Sequence, residues 1–251
     1  MNPILNDLLV AGGLLTALLV ALEGGFRAGR RGAQEGDARG GGQVGAVQGA
    51  TLGLLGLLLG FSFSAAGSRF LERQDLIVTE ANAIGTASLR ADLLDEPQRS
   101  ELRGALKDYT GYRIRFTKEG RTSIDTGAAA EFDRQHARIW DAAMAGVNAK
   151  PSTMIGVLPP INDVIDVHSL RIAAGHKHLP LLVLVLLIAA SLLSTACMGY
   201  GSGLGGRRRA PLTVPLALMI GTALWITIDL DHPRAGLMQL SDAPLEALKF
   251  D

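Results

Sequence analysis

Between Gln43 and Ser68 the sequence places small residues at helical spacing: Gly49, Gly53, Gly56, Gly60, Ser64 and Gly67 recur at steps of three or four. On a helix they share one face and leave it almost free of side chains. Such a face has two uses. Another helix can pack closely against it, as in small-xxx-small interfaces, or it can line a pore built by several copies of the chain. Phe61 and Phe63 sit near the far end, interleaved with Ser62 and Ser64. A ring of aromatic side chains from several subunits would form a hydrophobic constriction, which gates by dewetting. Arg69 and Arg73 follow, where a ring of positive charge would attract anions, with Glu72 and Asp75 close enough to neutralise it.

Other chemistry is sparser. His168, His176 and His178 fall in one region, but a spacing of two points the last pair to different sides of a helix, so no metal site is assigned. Gly201, Gly203 and Gly206 match a dinucleotide fingerprint in the wrong context, after an apolar helix and before three arginines. The single cysteine, Cys197, permits no disulfide or zinc framework and is expected to pack. There is no Ser-His-Asp arrangement, Cys-His pair, HExxH or P-loop, so no enzyme and no cofactor is expected. Net charge is zero with no basic stripe among aromatics, which excludes a nucleic-acid partner. Asp229, Asp231 and Arg234 are the densest polar group beside an apolar block; they read as interfacial anchoring with local ion pairs, or as a pore mouth.

The elements that position these residues follow from the distribution of charge. A helix needs about 20 apolar residues to cross roughly 30 Å of hydrocarbon. Four stretches qualify: residues 4–26, 44–66, 179–200 and 210–228. The last three carry no charge, and the first carries only Asp7 and Glu23 near its ends. A cleavable signal peptide fits the first poorly, because no Lys or Arg precedes its apolar core. The fold class is therefore all-α: an integral membrane protein with four transmembrane helices. Residues 1–68 hold the first two and 178–230 the last two, with a helical extramembrane domain at 69–177 and a tail at 231–251.

The central domain has fifteen Lys/Arg against fifteen Asp/Glu, a finely mixed balance that reads as a solvated helical surface. Its first helix continues the second span from Arg69 to about Leu94. Asp95-Glu96-Pro97 stops it and starts another, to about Lys118. Asp125 is expected to cap a third, to about Val147, before Lys150-Pro151. A last helix is expected from Ile161, after Pro159-Pro160, leading towards Pro180 at the membrane boundary. The short loops carry Arg27, Arg30, Arg31 and Arg39, and Arg207, Arg208 and Arg209, so the positive-inside rule puts them in the cytoplasm. Both termini and the central domain then lie on the non-cytoplasmic side.

The segments Gly60-Phe-Ser-Phe-Ser, Glu80-Ala-Asn-Ala-Ile-Gly-Thr, Leu89-Arg-Ala-Asp-Leu-Leu and Asp229-Leu-Asp-His-Pro-Arg-Ala-Gly together resemble the bacterial bestrophin-like family of four-helix membrane proteins. Glu23 and the arginines after it, Ile165-Asp-Val-His, Arg171 and Gly199-Tyr-Gly also fit. The family is distantly similar to bestrophins, which are pentameric, mostly anion-conducting channels whose second helix lines the pore. The resemblance implies a homo-oligomer in a bacterial cell membrane with inorganic ions, chloride among them, as partners. Gly53, Gly56, Gly60, Phe61, Phe63 and Ser64 would line the pore and its neck. Arg69, Arg73, Glu80, Asn82, Asp229, Asp231 and Arg234 would form its mouth. Bestrophins keep their termini and helical domain in the cytoplasm, opposite to the arginine count here. They also bind calcium through an acidic cluster, whereas Asp229, Asp231, Asp242 and Glu246 are scattered, and no calcium site is assigned. The alternative is a non-conducting scaffold, sensor or accessory subunit that docks partners through the central domain.

Overall fold

The computed structural model describes residues 3–34, 41–119, 126–208, 210–233 and 236–250, with side chains from Asp7 onward except at Gly41. Arg39, Asp125, Arg209 and Arg234 lie outside these residues. The elements are α1 (Pro3–Gln34), α2 (Gly41–Arg90), α3 (Gln98–Lys118), α4 (Thr126–Ala149), α5 (Met154–His176), α6 (Leu181–Leu204), α7 (Ala210–Asp231) and the short α8 (Ala243–Glu246). The described residues contain no strand, and the protein is all-α. Four helical segments are long and apolar enough to cross a bilayer: Asp7–Gln34, Gly42–Leu93, Pro151–Leu204 and Ala210–Asp231.

Several helix ends differ from expectation. Arg27, Arg30 and Arg31 belong to α1 rather than to a loop, the helix running through Gly24, Gly25, Gly29 and Gly32 with Gly25 and Gly29 packed on α6. The first helix of the central domain ends as an α-helix at Arg90, and residues Ala91–Leu93 tighten into a 3₁₀ turn before Pro97. The last helix of that domain starts at Met154, so Pro159 and Pro160 sit inside α5. They are its sixth and seventh residues, so each removes one hydrogen bond near the start of the helix rather than in its middle. Gly206 adopts φ 64°, just past the end of α6, the left-handed stop that glycine takes without strain.

The chain forms two units, residues 1–68 with 178–238, and residues 69–177 with 239–251. In the first, Leu52, Leu55 and Leu59 of α2 pack against Leu18, Leu22, Met198 and Ile220 from α1, α6 and α7. Helices α1 and α6 meet at backbone distance. A Cβ on Gly25 would overlap the Ala196 carbonyl oxygen, and one on Gly199 would overlap that of Leu22. Gly29 and Gly203 are held the same way, against Tyr200 and Phe26. This is small-residue packing, and it occurs on α1 and α6.

The second unit has a conventional interior. Ile77, Ile84, Leu102, Leu106, Ile139, Ile161 and Val164 are fully buried, with an aromatic cluster of Tyr109, Tyr112, Phe116 and Phe132. Residues 239–250 belong to this interior rather than to a free tail. Leu245 is buried in it, Gln74 exchanges two hydrogen bonds with the Ser241 backbone at 3.0 and 2.8 Å, and Lys118 pairs with Glu246 at 2.8 Å.

Candidate functional site

Within the first unit the polarity of α2 is set by which face its leucines occupy. With Leu52, Leu55, Ser62 and Ala66 turned inward, the opposite face carries Gly53, Gly56, Gly60 and Ser64, all exposed. A Cβ added at Gly45, Gly49, Gly53, Gly56, Gly60 or Gly67 would meet nothing within 4 Å. Among the described residues, nothing packs against the bare face at these positions. Phe61 is 67% exposed and Phe63 47% exposed. At 100° per residue they are about 200° apart, on opposite flanks of the line through Gly60 and Ser64. They cannot both point down one axis, so the two phenylalanines do not share a single ring about it.

Of the residues expected at a pore mouth, four have interior work in the chain. Asp229 is 3% exposed; its Oδ1 accepts the Leu237 amide at 3.0 Å and its Oδ2 the Met238 amide at 2.9 Å. Gly236 must be glycine there, because a Cβ would overlap the Asp229 carboxylate. Asp231 is 2% exposed and its Oδ2 accepts the Leu179 amide at 2.9 Å, an anion placed just before the N-terminus of α6. Both carboxylates are thus bound to backbone, and neither is a solvent-facing ring charge.

In the second unit Arg73 donates to the carbonyl oxygens of Ala174 and Lys177, at 3.1 and 2.6 Å. Both carbonyls lie at the C-terminal end of α5, where a cation is favoured. Glu80 is fully buried, which corrects its expected place at a mouth. Its carboxylate accepts from Tyr109 and Arg171 and lies 3.4 Å from Arg113 Nε. Arg113 reaches His168 Nδ1 at 3.3 Å, and the His168 ring packs against Phe132 and His136. Burial alone would raise the Glu80 carboxyl, but Arg113 and Arg171 outweigh it and hold it below its usual value. Burial, with Glu80 beside it, holds the Tyr109 hydroxyl well above its usual range. Burial and then Arg113 push His168 down to about 3, and burial also lowers His136.

This network is an interior brace. Sequence reading named Glu80, His168 and Arg171 but did not join them. The usable signal was a lone acid among Ile77, Ala81 and Ile84 on one helix face, which requires a buried partner. Asn82 remains exposed and Arg69 is half-buried.

The fold and site define a helical membrane protein that presents one uncovered, small-residue helix face. A bestrophin-like domain model matches residues 10–245, and the chain belongs to the bestrophin-like family. Its structure is similar to the crystal structure of a bacterial bestrophin homologue from Klebsiella pneumoniae that carries a tyrosine-to-alanine mutation. The TM-score is 0.70 at 15% identity, over 93% of this chain and 94% of that one. No curated protein matches the sequence.

Proposed function

We propose that the protein is a subunit of an oligomeric ion channel in which the 45–68 stretch of α2 lines the pore. The observation that carries this reading is the glycine face: six glycines with no neighbour, on a helix whose opposite face is packed. A face bare in the monomer and free of charge over Gln43–Ser68 suits close approach of several identical helices around a narrow lumen. With Gly53, Gly60 and Ser64 towards the axis, Phe61 and Phe63 fall on the flanks, where neighbouring copies of α2 lie. The constriction then comes from backbone proximity and from phenylalanines packed in the seams. Anions, chloride the simplest, are the expected permeants by family. A pentamer is the expected assembly on the same ground. The arginine-bearing ends of α1 and of the α6–α7 connection are placed in the cytoplasm by the positive-inside rule.

Purified protein in planar bilayers tests this directly. It should conduct, with a reversal potential in asymmetric potassium chloride set by the anion. Gly53→Trp or Ser64→Trp should close the lumen while leaving the oligomer intact. Absence of conductance from folded oligomers, or currents indifferent to both substitutions, would instead support the non-conducting scaffold.

A further inference from the structure

We propose that His178, Asp231 and His232 bind a divalent metal ion of the zinc class, linking the segment before α6 to the end of α7. The three residues are 53 and 54 positions apart in sequence, and the fold brings one donor atom of each within 4.8 Å of the others. Nδ1 of His178 is 3.4 Å from Asp231 Oδ2, and Nδ1 of His232 is 4.0 Å from the same oxygen. The two imidazoles stack with centroids 4.7 Å apart and planes 13° from parallel. A tetrahedral zinc ion with bonds of about 2.0–2.2 Å holds its ligand atoms roughly 3.3 Å apart. The donors are already near that spacing, and the two rings, each partly exposed, close the remainder by side-chain rotation.

The surroundings suit a ligand set. Asp231 is 2% exposed, and the Leu179 amide fixes its carboxylate at 2.9 Å. Backbone carbonyls of Asp231 and Ile228 lie 3.0 and 3.1 Å from Nδ1 of His178 and His232. Nδ1 serves as the ligand atom on both rings, so each ring exchanges that carbonyl contact for the metal as it turns. Two imidazoles and one carboxylate favour zinc, cobalt or nickel; calcium wants six to eight oxygens. Asp229 is not part of the converging set, and its two oxygens hold the Leu237 and Met238 amides instead. His176, two residues before His178, was not expected to share a metal with it, and the histidine stacked on His178 is His232. Nothing in this site depends on whether the protein conducts.

The test uses full-length protein carrying a histidine-free tag, stripped with EDTA in detergent, and zinc chloride as the probe. Calorimetry and metal analysis after desalting should give one zinc per chain. His178→Ala and His232→Ala should each weaken binding by about tenfold or more, and the double variant should abolish it. His176→Ala and Cys197→Ser should leave binding unchanged, and excess calcium should not displace the zinc. Cobalt should give the visible bands of a tetrahedral nitrogen and oxygen site without thiolate charge transfer. Zinc should raise the melting temperature of the parent protein but not of the double variant, whose melting in EDTA should match the parent. A His178→Gln/His232→Gln pair serves if the alanine pair melts lower. Failure of the parent protein to bind zinc overturns the proposal, as does undiminished binding by either folded double variant or stoichiometric displacement by calcium.

Discussion

Gly25 and Gly199 sit where α1 and α6 touch backbone to backbone, whereas Gly53 and Gly60 sit on α2 facing nothing. Both are glycines at helical spacing in sequence: Gly25, Gly29 and Gly32 on α1 and Gly199 and Gly203 on α6, against Gly49, Gly53, Gly56 and Gly60 on α2. The difference between them is a division of labour. On α1 and α6, glycine removes a side chain so that two helices of one chain can close. On α2 the side chain is removed where no described residue of this chain comes within 4 Å of the missing Cβ. Of the two uses for a bare face, close packing within the chain is seen on α1 and α6, and the pore proposed above would use the face on α2.

Substitutions at the two faces should separate most widely. Gly25→Leu or Gly199→Leu forces a side chain into a carbonyl oxygen and should cost several kcal/mol, at least about 3, because backbone rather than a flexible side chain must give. The readout is loss of folded, monodisperse protein in detergent. Gly53→Ala should be neutral or stabilising by up to about 1 kcal/mol in the same assay, since it gains helix propensity and meets no neighbour. Equal damage at both faces would break the comparison.

Glu80→Gln tests whether α2 is committed to packing beyond its glycine face. Removing the charge leaves Arg113 and Arg171 buried without their shared carboxylate, a loss of about 3–5 kcal/mol. Thermal melting should show it, with Asn82→Ala, an exposed neighbour on the same helix, shifting the midpoint little.

Acid should weaken the second unit selectively. The folded pKa values of His168 and His136 lie below the usual 6.5, so the unfolded chain binds more protons than the folded one as pH falls through that value. Their contribution is complete above about pH 6.5 and is lost progressively from there towards pH 3; Glu80, also depressed, adds its own loss below its usual 4.5. Melting temperature against pH should be flat above neutrality and fall below it, and His168→Phe should flatten the upper part of that fall.

The smallest effect expected is on conduction. Phe61→Ala and Phe63→Ala should each alter current or rectification without unfolding the protein, and, lying on opposite flanks, they need not act alike. Identical effects would argue for one shared ring instead. Topology is checked by single cysteines at exposed Asp108 and Gly205 in a Cys197→Ser background, which membrane-impermeant reagents should label from opposite sides.

Much of this is legible in the amino-acid sequence. The four uncharged stretches had to be buried in something apolar, and their length matched a bilayer. Proline and glycine marked most helix ends, failing at Pro159-Pro160 because a helix tolerates prolines near its start. The glycine stripe and the exposed phenylalanines were also readable, because helical spacing is a local property. What escaped were the partners of polar residues. Asp231 and His232 gave no sign that they would meet His178, and Glu80 gave only the hint of an acid on an apolar face.

Composition and periodicity thus determined by themselves that this is an all-helical membrane protein with a small-residue face on its second helix. Both follow from one-dimensional rules, the price of burying charge and the 3.6-residue turn. The tertiary structure alone decided which glycines are contacts and which are space, and that Arg73, Glu80, Asp229 and Asp231 are spent inside the chain. Those outcomes depend on which helix comes to lie beside which, and a residue's neighbours across the fold are not encoded in its neighbours along the sequence.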